Sequence, residues 1–195
     1  LGSTSTQPSH EELRRAAGNA TRSLLGTKRI TIAIPSSNAA EVGAICEGAA
    51  LGSYVFADHR FATAKKAKAA ATAITVLVDS VSADIKAAAN RAKTVATAAT
   101  FARNLINTSP LHLPPAELAS AAKALHAGSA VKVTVLDEKA LAKDGYGGIL
   151  AVGQGSARPP RLIRMEYAPA GATAHIALVG KGITFDTGGI SLKPP

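Results

Sequence analysis

The chain has 195 residues, room for one large domain or two small ones, and its hydrophobic content of 47% excludes a disordered polypeptide. Its formal charge is +9, but the basic residues are scattered, with one short cluster at Lys65-Lys66-Ala67-Lys68 and no basic run interleaved with aromatics, as a dedicated nucleic-acid surface would have. A single cysteine, Cys46, excludes an internal disulfide and fits a reducing compartment, and no apolar run approaches the ~18 residues of a membrane span.

The opening residues, Leu1 to Pro8, have neither a charged region nor an apolar core, and read as a mid-protein start rather than a signal peptide. Ser9-His10-Glu11-Glu12 is a capping box that starts a helix, expected to run to about Leu25 and to stop at Gly26. Lys28 to Ile34 alternates as a strand closed by Pro35. Asn38 caps a second helix, expected to reach about Ala57. Gly48 and Gly52 share one of its faces and point to close packing against a neighbour. Cys46 in this helix reads as a small buried hydrophobe. Ala73 to Asp79 is a second strand, so residues 9–79 form an α/β layer.

Ser82-Ala83-Asp84 starts the longest helix, whose apolar residues recur in steps of three and four to Asn107. At ~1.5 Å per residue it spans ~38 Å, long enough to join two domains. Pro110, Pro114 and Pro115 end it and force an extended link. The chain therefore divides into an N-terminal α/β domain over 1–81, a linker helix and loop over 82–109, and a second α/β domain over 110–195. In that second domain a helix is expected from Pro115 to about Ala127, a strand over Val131–Leu136, and a short helix capped by Asp137. Strands are expected at Ile149–Val152, Arg161–Tyr167 and Ala174–Val179. Ala168-Pro169-Ala170-Gly171 would turn the last two into a hairpin.

The chemistry gathers after that last strand, in a glycine-rich stretch holding Lys181, Asp186 and Lys193. The stretch lacks the four residues between first glycine and Gly-Lys-Ser/Thr that a phosphate loop needs, and it fails the G-x-G-x-x-G dinucleotide pattern. Asp186 stands among small and apolar neighbours, where a carboxylate is costly unless paired or bound to a cation. Lysines lie five residues before it and seven after it. Spacing alone leaves two readings open: an ion pair that pins the loop, or a metal-binding aspartate with a lysine that ligates the metal or stabilises an oxyanion.

The run Val179-Gly180-Lys181-Gly182-Ile183-Thr184-Phe185-Asp186-Thr187-Gly188-Gly189-Ile190-Ser191-Leu192-Lys193-Pro194 resembles the first catalytic motif of the leucyl aminopeptidases, the cytosol aminopeptidase (M17) family. Weaker matches precede it in order. They are Glu47 to Phe56, Ala102 to Pro110, Gly147 to Ser156, and Pro159-Pro160-Arg161-Leu162. The resemblance implies a smaller, macro-like N-terminal α/β domain joined by a long helix to a catalytic α/β domain with a mixed sheet. It implies a cytoplasmic two-metal exopeptidase that removes N-terminal residues, often leucine, from peptides. Its members are typically homohexamers, two trimers stacked.

Carried over by position, the resemblance makes Lys181 a ligand of the looser metal and Asp186 a ligand shared by both. Lys193 would not ligate; it would polarise the scissile carbonyl and stabilise the gem-diolate. Zn²⁺, Mn²⁺ and Mg²⁺ all suit such oxygen-rich ligation. The family's further carboxylate ligands, and an arginine that holds a bicarbonate, are expected downstream of Pro195. The 195 residues alone are therefore expected to be inactive. The second reading is a basic α/β fragment that binds DNA or serves assembly without catalysis. The +9 charge favours it, and the scatter of that charge does not.

Overall fold

In the computed structural model, residues 7–58, 60, 63 and 66–184 are described. The protein is mixed α/β and divides into two compact units, Leu1–Asn107 and Thr108–Pro195. The first contains α1 (His10–Ser23), β1 (Arg29–Ile32), α2 (Ala39–Gly52), β2 (Ala73–Val76) and α3 (Ala83–Asn107). The second contains α4 (Pro115–Leu125), β3 (Val131–Leu136), α5 (Glu138–Lys143), α6 (Gly147–Gly153) and β4 (Leu162–Tyr167).

The helix starts are chemical and local. Glu12 N–H donates to Ser9 Oγ at 3.3 Å, and Ser9 N–H donates back to Glu12 Oε2 at 2.8 Å, completing the capping box of α1. Asn38 Oδ1 accepts from Glu41 N–H at 3.0 Å to start α2. Asp137 Oδ1 accepts from Ala140 N–H at 2.9 Å to start α5, and that bond holds the Asp137 carboxyl below the ordinary range. The stops follow the glycines expected: Gly26 and Gly128 both adopt positive φ just after α1 and α4.

In the first unit β1 and β2 pair in parallel, Arg29 opposite Ala73 and Ile32 opposite Val76. The alternation of β1 sends Ile30 and Ile32 inward, where they meet Leu13 and Ala17 of α1 and Ala44, Ile45 and Ala49 of α2. Helices α1 and α2 cross where their glycines meet. A Cβ at Gly48 would collide with the Arg14 carbonyl, one at Gly52 with the Gly18 carbonyl, and one at Gly18 would stand 3.1 Å from the Gly48 carbonyl oxygen. The shared glycine face is thus a backbone-to-backbone contact. In the second unit β3 and β4 are antiparallel, Val131 opposite Tyr167 and Leu136 opposite Leu162. Leu141 of α5 and Ala119 and Ala122 of α4 are its buried residues among those described.

Three expectations are corrected. Helix α2 ends at Gly52, five residues before Ala57. Arg103 Nη1 donates to Leu51 O in its last turn at 3.0 Å, and Arg22 Nη1 donates to Tyr54 O, just past its end, at 3.3 Å. Residues Ile149–Val152 lie in α6, not in a strand. Leu150 N–H donates to Tyr146 O at 3.2 Å, the bond of a first helical turn. Four apolar residues in a row do not reveal their own period. Finally, 174–179 forms no strand. The turn before it does form, with Gly171 at φ 79° and Ala172 N–H donating to Pro169 O at 3.2 Å. Yet β4 spends its bonds on β3. Among the described residues nothing pairs with 174–179, and a lone strand has no partner for its backbone groups. Ile176, Leu178 and Val179 are instead 82%, 95% and 97% exposed.

Gly48→Ala is expected to destabilise the first unit by about 1–3 kcal/mol, because the added methyl must push two backbones apart. Gly43→Ala, whose Cβ would sit 3.4 Å from the Ala88 methyl, is expected to be neutral or stabilising through helix propensity. Urea denaturation of both variants checks this contrast. Equal effects would contradict it.

Candidate metal centre

Of the three site residues expected from the sequence, the structure describes one. Lys181 lies in an exposed Gly-Lys-Gly run without regular structure after β4. A Cβ at Gly182 would stand 3.5 Å from Leu118 Cδ2, so this run passes over the Leu118 side chain of α4. On the other side of Lys181, a Cβ at Gly180 would have nothing within 4 Å. Room for the backbone to approach a ligand is what glycine offers at such positions. Asp186 and Lys193 lie outside the described residues, and the pairing of these three groups is not part of the described geometry. Among the described residues no three His, Cys, Asp or Glu side chains gather as a metal cage.

Two arginines that sequence reasoning did not single out hold the connections of the second unit. Arg158 Nη1 donates to Leu111 O at 2.7 Å and to Pro110 O at 3.2 Å, taking carbonyls of the proline-rich link that has no regular structure to satisfy them. Arg161 Nη1 donates to Glu138 Oε2 at 2.6 Å and to Pro160 O at 2.9 Å, joining the start of α5 to the approach to β4. Their signal in the sequence is only their place beside prolines, which leave orphan carbonyls nearby. The run that holds Lys181 starts beyond β4.

The first unit has a cavity of about 610 Å³ between α2, β2 and α3, lined among others by Cys46, Ile74, Val76, Lys93 and Thr97. Lys181, the one described residue of the expected three, is not among its lining residues. Thr97 Oγ1 donates to Lys93 O at 2.8 Å and Ser53 Oγ to Ala50 O at 2.8 Å, so both hydroxyl protons are committed to helix backbone. Burial pushes the Cys46 thiol up, which disfavours the thiolate a nucleophile needs. Cys46, expected to be buried, is half-buried at the cavity wall and packs there among apolar neighbours. Among the described residues no helix is long and apolar enough to cross a membrane.

Residues 100–195 match the model of the cytosol aminopeptidase family, catalytic domain. A probable cytosol aminopeptidase of Micrococcus luteus is 49% identical over 191 residues, which is 96% of this chain and 38% of that protein. One of Clavibacter michiganensis is 52% identical over 185 residues, 93% of this chain and 37% of that protein. The chain thus spans a little over a third of the length of these curated relatives. Among solved structures, the bottromycin maturation enzyme BotP in complex with Mn superposes with a TM-score of 0.80 at 29% identity, over 96% of this chain and 39% of that one. A tomato leucine aminopeptidase mutant gives 0.68 at 25% identity, over 84% of this chain and 34% of that one.

Alkylation of Cys46 by iodoacetamide at neutral pH is expected to be slower than that of a small-molecule thiol. It should recover the small-molecule rate in denaturant. A native rate equal to or above the small-molecule rate would contradict the packing role.

Proposed function

The chain belongs to the cytosol aminopeptidase family, and on that premise we propose that the intact protein is a two-metal aminopeptidase releasing N-terminal residues, with a leucine-type preference, from peptides. The observation that carries the reading is the sixteen-residue run Val179–Pro194, which falls inside the matched catalytic domain and presents Lys181, Asp186 and Lys193 in order.

The donor chemistry fits divalent cations. A carboxylate and an amine, with no thiol or imidazole in the run, suit Mn²⁺, Zn²⁺ or Mg²⁺. The Mn bound in the BotP complex supports Mn²⁺ as the first ion to test. The open backbone at Gly180 supports close approach to Lys181. Two such ions, when bound, activate water and polarise the scissile carbonyl. This chain's own residues divide the remaining work. Lys181 would hold one ion through its side-chain nitrogen. Asp186 would supply a carboxylate to hold the ions. Lys193 keeps its proton and donates to the carbonyl oxygen as negative charge develops there. The carboxylates that complete the set, an arginine holding bicarbonate as general base, and a cytoplasmic homohexamer of two trimers are parts of the same proposal. The substrate's requirement is a peptide with an unblocked N-terminus.

Nucleic-acid binding is the second reading and rests on the +9 charge alone. It predicts binding to duplex DNA that falls steeply with salt.

Intact protein supplied with Mn²⁺ is expected to hydrolyse leucine p-nitroanilide and to lose activity to a chelator. Lys193→Ala should lower kcat by about 10²–10³-fold with little change in KM, while Asp186→Ala should also lower the bound metal. The 195 residues alone offer too few donors for two ions and are expected to show no turnover. No hydrolysis by the intact protein, with salt-sensitive DNA binding in its place, would overturn the reading.

A further inference from the structure

Helix α3 is unevenly supported. Its buried residues, Ala92 and Ala96, lie in its middle. Beyond them none of the residues to Asn107 is fully buried, and Ile106 is 80% exposed. The last turn carries no basic residue to complement its carbonyl end. An end with so little apolar contact belongs to the low-stability part of a structure and frays unless something holds it.

Polar contacts from the segment after α2 hold it. Tyr54 Oη donates to Asn104 Oδ1 at 2.9 Å and accepts from Asn107 Nδ2 at 2.9 Å. One hydroxyl thus joins two residues three apart on the same face of α3. The Arg103 guanidinium lies over the Tyr54 ring, 5.2 Å from its centroid, and donates to Leu51 O at 3.0 Å. Arg22 of α1 donates to Tyr54 O at 3.3 Å and steadies the backbone that carries the ring. Both bonds to the asparagines pass through one phenol oxygen, and the first unit ends at one of the residues it grips, Asn107.

We infer that Tyr54 is a latch: it keeps the last two turns of α3 helical up to the unit boundary, and its release lets 101–107 fray while the rest of the first unit stays folded. The latch is a positioning device. None of its residues is a proposed metal ligand, so it stands or falls independently of the aminopeptidase reading. Its logic is separable in chemistry. Tyr54→Phe removes both hydroxyl bonds and leaves the ring under Arg103. Asn107→Ala removes one bond at an exposed site and leaves the fold's core untouched.

Amide hydrogen exchange followed by mass spectrometry tests it on the 195-residue chain. In Tyr54→Phe, and in Asn107→Ala to a smaller extent, exchange at 101–107 is expected to quicken roughly 5–30-fold, the effect of losing one or two net hydrogen bonds. Exchange at 85–96 should match the parent. The double variant should exchange no faster than Tyr54→Phe, because the Asn107 bond is already gone. Unchanged exchange at 101–107, quickening spread evenly over the whole first unit, or additive effects in the double variant would each overturn the latch.

Discussion

The contact of helix backbones at Gly18, Gly48 and Gly52 is the constraint on which the first unit is built. Because no side chain stands between them, α1 and α2 approach until carbonyls occupy the space a methyl would need. That closeness lets seven small and branched residues, Leu13 and Ala17 with Ile30, Ile32, Ala44, Ile45 and Ala49, close a core that has no aromatic ring among the described residues. A chain with 4% aromatic residues must gain its packing this way. Dispersion falls off within an ångström, so small residues stabilise only when the backbones come near. The parallel pair β1–β2 rests on this helix pair, and α3 packs against α2 through the Gly43 and Ala88 contact.

The second unit uses a different device. Its buried apolar residues are few, and arginines do what packing does in the first unit. Arg158 collects the carbonyls of the proline link, and Arg161 pairs with Glu138 where it is only one-fifth exposed. Planar guanidinium groups suit this task because they donate in several directions at once. The result is a small scaffold, β3–β4 with α4 to α6, from which the Lys181 run emerges over Leu118 without regular structure. The chemistry thus begins where regular structure stops, as sites in α/β proteins commonly do.

Much of this was readable in the residues. Caps are local, so Ser9, Asn38 and Asp137 announced three helix starts within a residue. The alternation of Val131, Val133 and Val135 announced β3, and the spacing of Gly48 and Gly52 announced a close helix contact. What failed was decided by distant partners. The end of α2 depends on Arg103, fifty-two residues away from the Leu51 carbonyl it takes. Whether Ile149–Val152 coils or extends depends on its surroundings, because four apolar residues fit either period. The apolar run 174–179 reads as a strand, but a strand exists only with a partner. The candidate site divides the same way. Residue types and spacing left Asp186 equally open as an ion-pair partner and as a metal ligand. The family resemblance separated the roles of Lys181 and Lys193, which no distance rule could do.

The central claim is that Lys181 and Asp186 meet on a metal rather than on each other. Crystals of the intact protein grown with Mn²⁺, with data collected at an energy where manganese scatters anomalously, test it most directly. The account predicts two anomalous peaks, both within ligation distance of the Asp186 carboxylate and one also ligated by Lys181 Nζ, with Lys193 near neither. A direct Lys181–Asp186 ion pair with no anomalous peak beside it would contradict the account.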